Sequence, residues 1–220
     1  MRLPIFTGAI AALAAGLAVS APSLAIIAGQ QDDFQSGTSA FWAGGGGGPI
    51  IVETGGPDGA GDRFMQASSD GAGSGGRMSI YNREQWLGDY LTAGVTAIEM
   101  DLKNFGSQTL SMRVGFKLFS SPGSPGVVSR VPISLPADGQ WHRTTFLLTM
   151  DAMQILGTPT GGYEGMLGGN AAEFRLLHST SASLTGNNIV SQLGVDNVTA
   201  IPAPATGLLV ALAVFGRRRR

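Results

Sequence analysis

Apolar and polar residues alternate most regularly in the middle of the chain. The alternation is strict over residues 98–103, and residues 110–118 repeat the same period of two. A period of two places successive side chains on opposite faces of an extended strand. Both segments are therefore predicted to be β-strands with one buried and one wet face, as in an antiparallel sandwich, joined by a loop over residues 104–108.

Shorter apolar runs, bounded by glycine, proline and polar turn residues, predict the remaining strands. These lie at residues 49–53, 63–68, 77–82, 127–135, 141–149, 173–178 and 192–200, after a short extended piece at 30–42. The second and third of these strands are predicted to pair across a glycine-rich turn at 69–76. Residues 151–156 are predicted to form one helical turn, followed by a loop to residue 169.

About nine strands with almost no helix predict an all-β fold, an antiparallel β-sandwich of the jelly-roll, galactose-binding-like type. This single domain is expected to span residues 29–200, a length that can bury a core. The ends of the chain carry different patterns, which predict targeting segments.

The N-terminal pattern is that of an export signal. Arg2 supplies a positive start, residues 3–19 are apolar and rich in alanine, and small residues follow. This layout predicts a signal peptide over residues 1–25, with cleavage near Ala25 or Ala28. An uncleaved anchor is the alternative.

The C-terminal pattern, over residues 201–220, combines a proline motif, an apolar segment and a block of positive charge. The apolar segment has roughly ten residues, about half of the ~20 needed to span a bilayer. Because it is apolar, the segment is predicted to contact the membrane at least transiently. Its end is predicted to stay on the cytoplasmic side, because arginines resist transfer across a membrane. The motif residues are Pro202, Pro204, Arg217, Arg218, Arg219 and Arg220.

These tail residues resemble the PEP-CTERM class of bacterial sorting tails, which an exosortase processes. Ala203 stands where that class usually has glutamate. The resemblance implies an exosortase-type enzyme as a partner and delivery to the bacterial cell envelope or cell surface. A plain short tail anchor is the alternative.

Charge and composition narrow the choice of ligands. The chain has 14 Lys+Arg and 15 Asp+Glu, but five of the arginines, Arg2 and the terminal four, lie in the two signals. The domain between them carries nine cations against fifteen carboxylates, a sign that excludes nucleic acid as a partner and suits divalent cations or neutral glycans. The absence of cysteine excludes disulfides and thiolate chemistry.

Five short segments carry a second resemblance. They are residues 55–58, 86–90 and 98–102, Trp141 before a strand, and residues 193–198. Together they are similar to the laminin domain IV module, which is itself similar to galactose-binding-like and carbohydrate-binding jelly rolls. The resemblance implies a non-enzymatic extracellular module with adhesive, matrix or glycan-binding roles.

The same resemblance implies a structural calcium ion between the first and last strands. Asp32 or Asp33 near the start and Asp196 near the end match the acidic positions. Calcium takes six to eight oxygens, so backbone carbonyls and Asp58 or Asp62 would complete the shell. Alternatively, Asp33 and Asp196 cap turns or accept backbone hydrogen bonds.

Aromatic residues with polar neighbours are the candidates for glycan binding, because sugar rings present flat apolar faces and hydroxyl groups. The alternative for the aromatic pair in this set is the packing of a loop onto the sandwich. The set consists of Trp86, Tyr90, Asn82, Arg83 and Asp89.

An enzyme is the main rival to a binding module. Glu99 and Asp101 resemble the start of the E-x-D-x-x-E signature of laminarinase-type glycoside hydrolases, but Asn104 replaces the third acid. Without that carboxylate the acid/base partner is missing, and both acids are predicted to lie on the solvent face of a strand. The prediction is an exported, surface-associated, non-catalytic module for extracellular matrix or exopolysaccharide association. A purely structural matrix protein and a diverged polysaccharide hydrolase or lyase are the alternatives.

Overall fold

The computed structural model describes residues 25–44, 46–73 and 76–204. They form two antiparallel β-sheets and one six-residue helix, α1 (Gly162–Leu167). The predicted all-β jelly-roll sandwich is confirmed. In chain order the strands are β1 (Gln31–Asp32), β2 (Ala43–Gly44), β3 (Ile50–Val52), β4 (Phe64–Asp70), β5 (Ser79–Asn82), β6 (Val95–Asn104), β7 (Leu110–Lys117), β8 (Gly126–Ser129), β9 (Ile133–Leu135), β10 (Trp141–Leu147), β11 (Met153–Leu156), β12 (Glu173–His178) and β13 (Val190–Pro202).

Sheet A has the strand order β10-β6-β13-β4-β3, and β1 also pairs with β13. The last strand of the domain therefore lies at the centre of this sheet, with three partners. Its pairing with β6 shifts register between Asp196 and Thr199, where Asn197 adopts a positive φ of 50°. Such a bulge twists the strand and turns side chains away from the regular ladder.

Sheet B has the order β11-β8-β7-β12-β5-β2, and β9 pairs with the first half of β7. Apolar side chains of both sheets face each other and form one continuous core. Five aromatic rings occupy one end of it, in edge, tilted and stacked contacts with centroids 5.0–6.3 Å apart. They belong to Trp42, Trp86, Tyr90, Phe116 and Phe174.

The predicted hairpin between residues 63–68 and 77–82 is wrong. The two segments are present as β4 and β5, but β4 pairs with β3 and β13 in sheet A, whereas β5 pairs with β2 and β12 in sheet B. The glycine-rich connection crosses from one sheet to the other. Each strand buries its apolar face in the shared core, β4 from the side of sheet A and β5 from the side of sheet B. Strands on opposite sides of the core cannot pair with each other.

Two further local predictions need correction. Part of the segment predicted to be a helical turn is strand β11, because the edge of β8 offers backbone partners and Met153 turns into the core. The segment predicted as one strand at 127–135 is divided into β8 and β9, which pair with different halves of β7. Helix α1 lies within the predicted loop 157–169.

Strand β7 also lacks the predicted wet face. Seven of its eight residues are buried, including Arg113 and Lys117 on the outward side. Their cationic groups donate hydrogen bonds to carbonyls of the segments that fold over the strand, Arg113 to Ser179 and Lys117 to Ser121. These segments therefore cover part of the outer face of sheet B, and a cavity lies beside them.

The predicted targeting segments lie largely outside the described residues. Strand β13 continues through Ile201 and Pro202, two residues into the predicted tail, and the Ala203 amide donates to Gly94. Arg217, Arg218, Arg219 and Arg220 fall outside. Among residues 25–204, apart from the gaps at 45 and 74–75, the helix is too short to cross a bilayer.

Candidate functional site

A cavity of about 200 Å³ opens on the outer face of sheet B. Strands β2, β5, β7 and β12 form its floor, and the connections after β7 and β12 form its walls. Its lining combines cationic groups, hydroxyl groups and one aromatic ring. The lining residues are Gly44, Arg77, Ser79, Tyr81, Lys117, Ser120, Pro122, Arg175 and Thr185.

Strand register brings the polar groups together. Arg175 on β12 lies opposite Tyr81 on β5, and Glu173 lies opposite Lys117 on β7. The intervening residue, Phe174, points into the core. The period of two thus separates an apolar inner face from a charged outer face on the same strand.

Glu173 organises the cations around the cavity. Its carboxylate is fully buried and accepts two hydrogen bonds from Arg83, at 2.9 and 2.7 Å, and one from Arg175. The ammonium nitrogen of Lys117 lies 3.9 Å away. A single carboxylate therefore faces three cations and holds two guanidinium groups in fixed positions.

Two of these guanidinium groups lie near the ring of Tyr81. The Cζ atoms of Arg83 and Arg175 lie 4.2 and 5.6 Å from its ring centroid, within the range of cation–π attraction. Its hydroxyl group has no hydrogen-bond partner within the described part of the chain. The phenol can therefore both donate to and accept from a ligand in the cavity.

Burial lowers the pKa of Lys117, and the positive charge of Arg175 lowers it further, while Glu173 acts in the opposite direction. The ammonium group donates to the carbonyl of Ser121 at 2.9 Å. Because Arg77 and Arg175 also line it, the cavity carries positive charge and many hydrogen-bond donors.

The two predicted aromatic ligands lie in the core, which corrects the prediction that they stack on a sugar. Trp86 and Tyr90 are 0% and 1% exposed. The Trp86 indole donates to Asp32 at 2.6 Å and its ring packs on Phe174, while the Tyr90 hydroxyl donates to the Trp86 carbonyl at 2.6 Å. The polar groups of both residues form hydrogen bonds within the domain. The two side chains therefore pack a loop onto the sandwich, as the alternative interpretation stated.

The polar residues predicted around this pair are separated by the fold. Asn82 is buried and donates to the Ala40 carbonyl, and Asp89 accepts hydrogen bonds from Thr92 in a turn. Arg83 lies beside the cavity, paired with the buried Glu173 and over the ring of Tyr81. The sequence signal for the cavity is the set of polar residues at alternate positions of three predicted strands. They are Ser79, Tyr81, Lys117 and Arg175.

A second aromatic group lies on the outer face of sheet A. Trp141 packs against Phe64, with centroids 5.2 Å apart, and Phe105 stacks on Phe64 at 6.0 Å. The Trp141 indole already donates to the Gly55 carbonyl at 3.0 Å. This group therefore fastens the loop after β3 to the sheet.

Glu99 and Asp101, the acids that resemble a hydrolase signature, are both engaged by Arg143 from the neighbouring strand β10. Asp101 is buried, contrary to the predicted solvent face, because Arg143 and Asn197 cover it. These contacts describe a cross-strand ion pair.

Asp196, from the predicted metal site, is fully buried at the bulge of β13. One carboxylate oxygen accepts a hydrogen bond from the Asn197 amide at 2.7 Å, and the other has no donor among the described residues. Burial raises the pKa of Asp196 to about 7, and the charges of Asp62, Asp101 and Asp33 add to the rise.

The other predicted ligands have different roles. Asp32 accepts hydrogen bonds from Trp42 and Trp86, and burial raises its pKa despite them. Asp33 accepts a hydrogen bond from the Gln35 amide in a turn. Within the ranges that the structure covers, no group of three or more His, Asp or Glu side chains is arranged to hold a metal.

Oxygen atoms nevertheless crowd around the Gln35 side chain. Its amide nitrogen lies 3.0 Å from the Asp33 carbonyl, 2.7 Å from the Asp62 carboxylate and 3.1 Å from the Arg63 carbonyl. An amide nitrogen carries two hydrogens, so three acceptors exceed its capacity.

No protein-family model matches the chain, and no curated protein matches it. Solved structures do match. An exo-beta-agarase has a TM-score of 0.52 at 12% identity, over 80% of this chain and 25% of that one. A family 11 carbohydrate-binding module from Clostridium thermocellum, in complex with a beta-1,3-1,4-mixed-linked tetrasaccharide, has a TM-score of 0.49 at 16% identity, over 80% and 97%. This chain thus spans a quarter of the agarase, and the likeness to that quarter is one of fold.

Proposed function

We propose that the protein is an exported, surface-associated, non-catalytic module that binds a glycan in the cavity on sheet B. The observation that carries the proposal is Tyr81 at the cavity, with Arg83 and Arg175 near its ring and a hydroxyl group that has no partner among the described residues. Ring, guanidinium and hydroxyl groups are the kinds of contact that fix a sugar in an otherwise apolar setting.

The site is ordered before any ligand arrives. Glu173 fixes Arg83 and Arg175, and Arg175 also donates to the Leu184 carbonyl at 2.9 Å. Binding therefore loses little side-chain entropy. The volume, about 200 Å³, is below the ~300 Å³ of pockets for drug-sized ligands, which suits one sugar unit of a longer chain.

The side chains that line the cavity differ in kind from those of a glycoside hydrolase site. Glycoside hydrolases generally use two carboxyl groups that flank the scissile bond. The lining residues of this cavity that the structure describes include no carboxylate, and Glu173 behind them is buried and ion-paired. The fold shared with part of an exo-beta-agarase is consistent with a role beside polysaccharide chemistry.

A glycan array probed with the purified full-length protein tests the proposal. We expect binding to at least one polysaccharide, and we expect Tyr81→Ala to weaken it about tenfold or more while the melting temperature is kept. Phe105→Ala is the matched control, because this ring is 40% exposed on the opposite sheet. Equal loss in both variants, or no binding to any glycan, contradicts the proposed site.

For delivery, we propose that the C-terminal segment is a PEP-CTERM-type tail processed by an exosortase, with membrane contact at least until cleavage. The support is the sequence pattern of Pro202, Pro204 and the four terminal arginines. Mass spectrometry of the cell-associated protein should find Arg217–Arg220 removed. Their retention would indicate a plain anchor instead.

We also propose a structural calcium ion near the bulge of β13. Asp196 has a buried oxygen without a donor, and Asp62, together with the Asp33 and Arg63 carbonyls, supplies further oxygens around Gln35. Carboxylate and backbone carbonyl oxygens are the ligands that calcium binds in proteins. The ion would neutralise Asp196 and tie the start of the domain to its last strand.

A further inference from the structure

We infer that the cavity on sheet B selects an anionic glycan, whose sugars carry carboxylate or sulfate groups. The inference rests on the proposed function and names its ligand class. Three cationic side chains, Arg77, Lys117 and Arg175, line the cavity. A fourth, Arg83, lies beside it, over the ring of Tyr81 and paired with the buried Glu173.

Carboxylates of the described residues do not balance the positive charge at and beside the cavity. Glu173 offsets one of the four positive charges, and both of its oxygens are already engaged by Arg83 and Arg175. The domain as a whole has nine cations and fifteen carboxylates outside the two predicted signals, so four of its nine cations gather at this one place. General composition does not account for such a concentration.

Arg77 is the clearest unpaired cation. It is exposed, it lines the cavity, and it forms no ion pair with a carboxylate in the part of the chain that the structure describes. A guanidinium group matches the planar geometry of a carboxylate or the oxygens of a sulfate, to which it can donate two hydrogen bonds. Arg83, 43% exposed in its side chain, has one further terminal nitrogen without a partner among residues 25–204, apart from the gaps at 45 and 74–75.

The balance of donors and acceptors points the same way. Arg77, Lys117 and Arg175 can only donate hydrogen bonds, whereas the acceptors on the lining side chains are hydroxyl groups of serine, threonine and tyrosine. A neutral sugar has hydroxyl hydrogens that require acceptors as well. An anionic sugar brings acceptors alone at its charged group, and it offsets the mutual repulsion of Lys117 and Arg175.

Isothermal titration of the full-length protein with oligosaccharides of equal length tests the inference. The probes are an oligogalacturonate, a sulfated galactan oligosaccharide and a neutral mixed-linkage β-glucan oligosaccharide. We expect at least one anionic probe to bind about tenfold or more tightly than the neutral one, and to weaken as salt is raised from 50 to 300 mM. The tighter of the two anionic probes identifies carboxylate or sulfate as the recognised group.

Two charge-matched variants locate the effect. Arg77→Gln removes a cation with no ion pair to break, so we expect about tenfold weaker binding of the anionic probe at an unchanged melting temperature. Lys103→Gln removes one positive charge from sheet A, where the ammonium lies over Phe105, and should leave the affinity unchanged.

The outcomes separate this inference from the proposed function. If the neutral probe binds more tightly and Tyr81→Ala weakens that binding, the proposed glycan-binding function stands but the inference of anionic selectivity is overturned. Equal affinities of the wild type and Arg77→Gln for every anionic probe also overturn it. Absence of binding to all three probes and to the array overturns both proposals.

Discussion

At the scale of single residues, Asp32 explains why the tryptophans do not form the binding site. Its carboxylate accepts hydrogen bonds from the indole groups of Trp42 and Trp86 and from the Gln85 amide. One buried acid thereby satisfies three donors from distant parts of the chain. The sequence shows that Trp86 has an apolar ring with a polar edge, but it does not show that this edge binds Asp32, which lies 54 residues away.

His178 gives a pH-dependence prediction at this scale. Burial lowers the pKa of His178 below its usual value, and its Nδ1 atom accepts a hydrogen bond from the Ser111 amide at 2.9 Å. The unfolded chain takes up a proton near pH 6.5, while the folded protein resists protonation until a lower pH. The stability that neutral His178 provides is therefore complete above about pH 6.5 and decreases as the pH falls toward the folded-state pKa.

We expect His178→Gln to remove this decrease. The measurement is the free energy of unfolding in urea at pH 8, 7, 6 and 5, compared between wild type and variant. His142→Gln is the control, since His142 pairs with Asp138 at the surface. A wild-type and His178→Gln difference that stays constant over the whole pH range would contradict the prediction.

At the scale of elements, the close contact between β7 and β8 depends on glycine. Gly126 lies opposite Lys117, and a side-chain carbon at position 126 would collide with the backbone oxygen of Phe116. Its φ angle is not in the left-handed region, so the constraint is steric. The same small residue leaves room for Leu184, whose segment forms one wall of the cavity.

We therefore expect Gly126→Ala to lower the free energy of unfolding by about 1–3 kcal/mol, because a backbone atom cannot yield as a side chain can. Ser134→Ala, exposed on the neighbouring β9, should stay within about 0.5 kcal/mol of wild type. Chemical denaturation of both variants gives the comparison. Equal stability of Gly126→Ala and wild type would show that the two strands separate readily.

The same scale shows what strand patterns can predict. The alternation at 98–103 and 110–118 located β6 and β7, because a half-buried strand requires that period. It could not assign strands to sheets, since β4 and β5 carry compatible patterns and adjacent positions. It also missed that β7 is covered outside, because the covering segments are recognisable only once the chain has folded over it.

At the scale of the whole molecule, the proposed calcium ion links the beginning and end of the domain. We expect a chelator to lower the melting temperature of the protein as purified by several degrees, and added calcium to restore it, because binding to the native state alone adds about 2.7 kcal/mol at 100 times the dissociation constant. Asp196→Asn should abolish the difference between the two conditions. Superimposable melting curves of the wild type with and without chelator would remove calcium from this protein.

Charge is the property that sequence totals describe least well at this scale. The acidic balance of the domain disfavoured nucleic acid and predicted divalent cations or neutral glycans as ligands. The fold places Arg77, Lys117 and Arg175 around one cavity from three separate strands or connections. Their proximity depends on the order of strands in sheet B, which no local pattern specifies.

The central position of β13 has a kinetic consequence. Strands β1, β4 and β6 all hydrogen-bond to a segment that is synthesised after them, so sheet A cannot close until residue 202 has been made. Such long-range pairing makes folding slow, with open edges exposed meanwhile. Sheet A is therefore completed only after its last strand has been synthesised, an order that suits the export proposed for this protein.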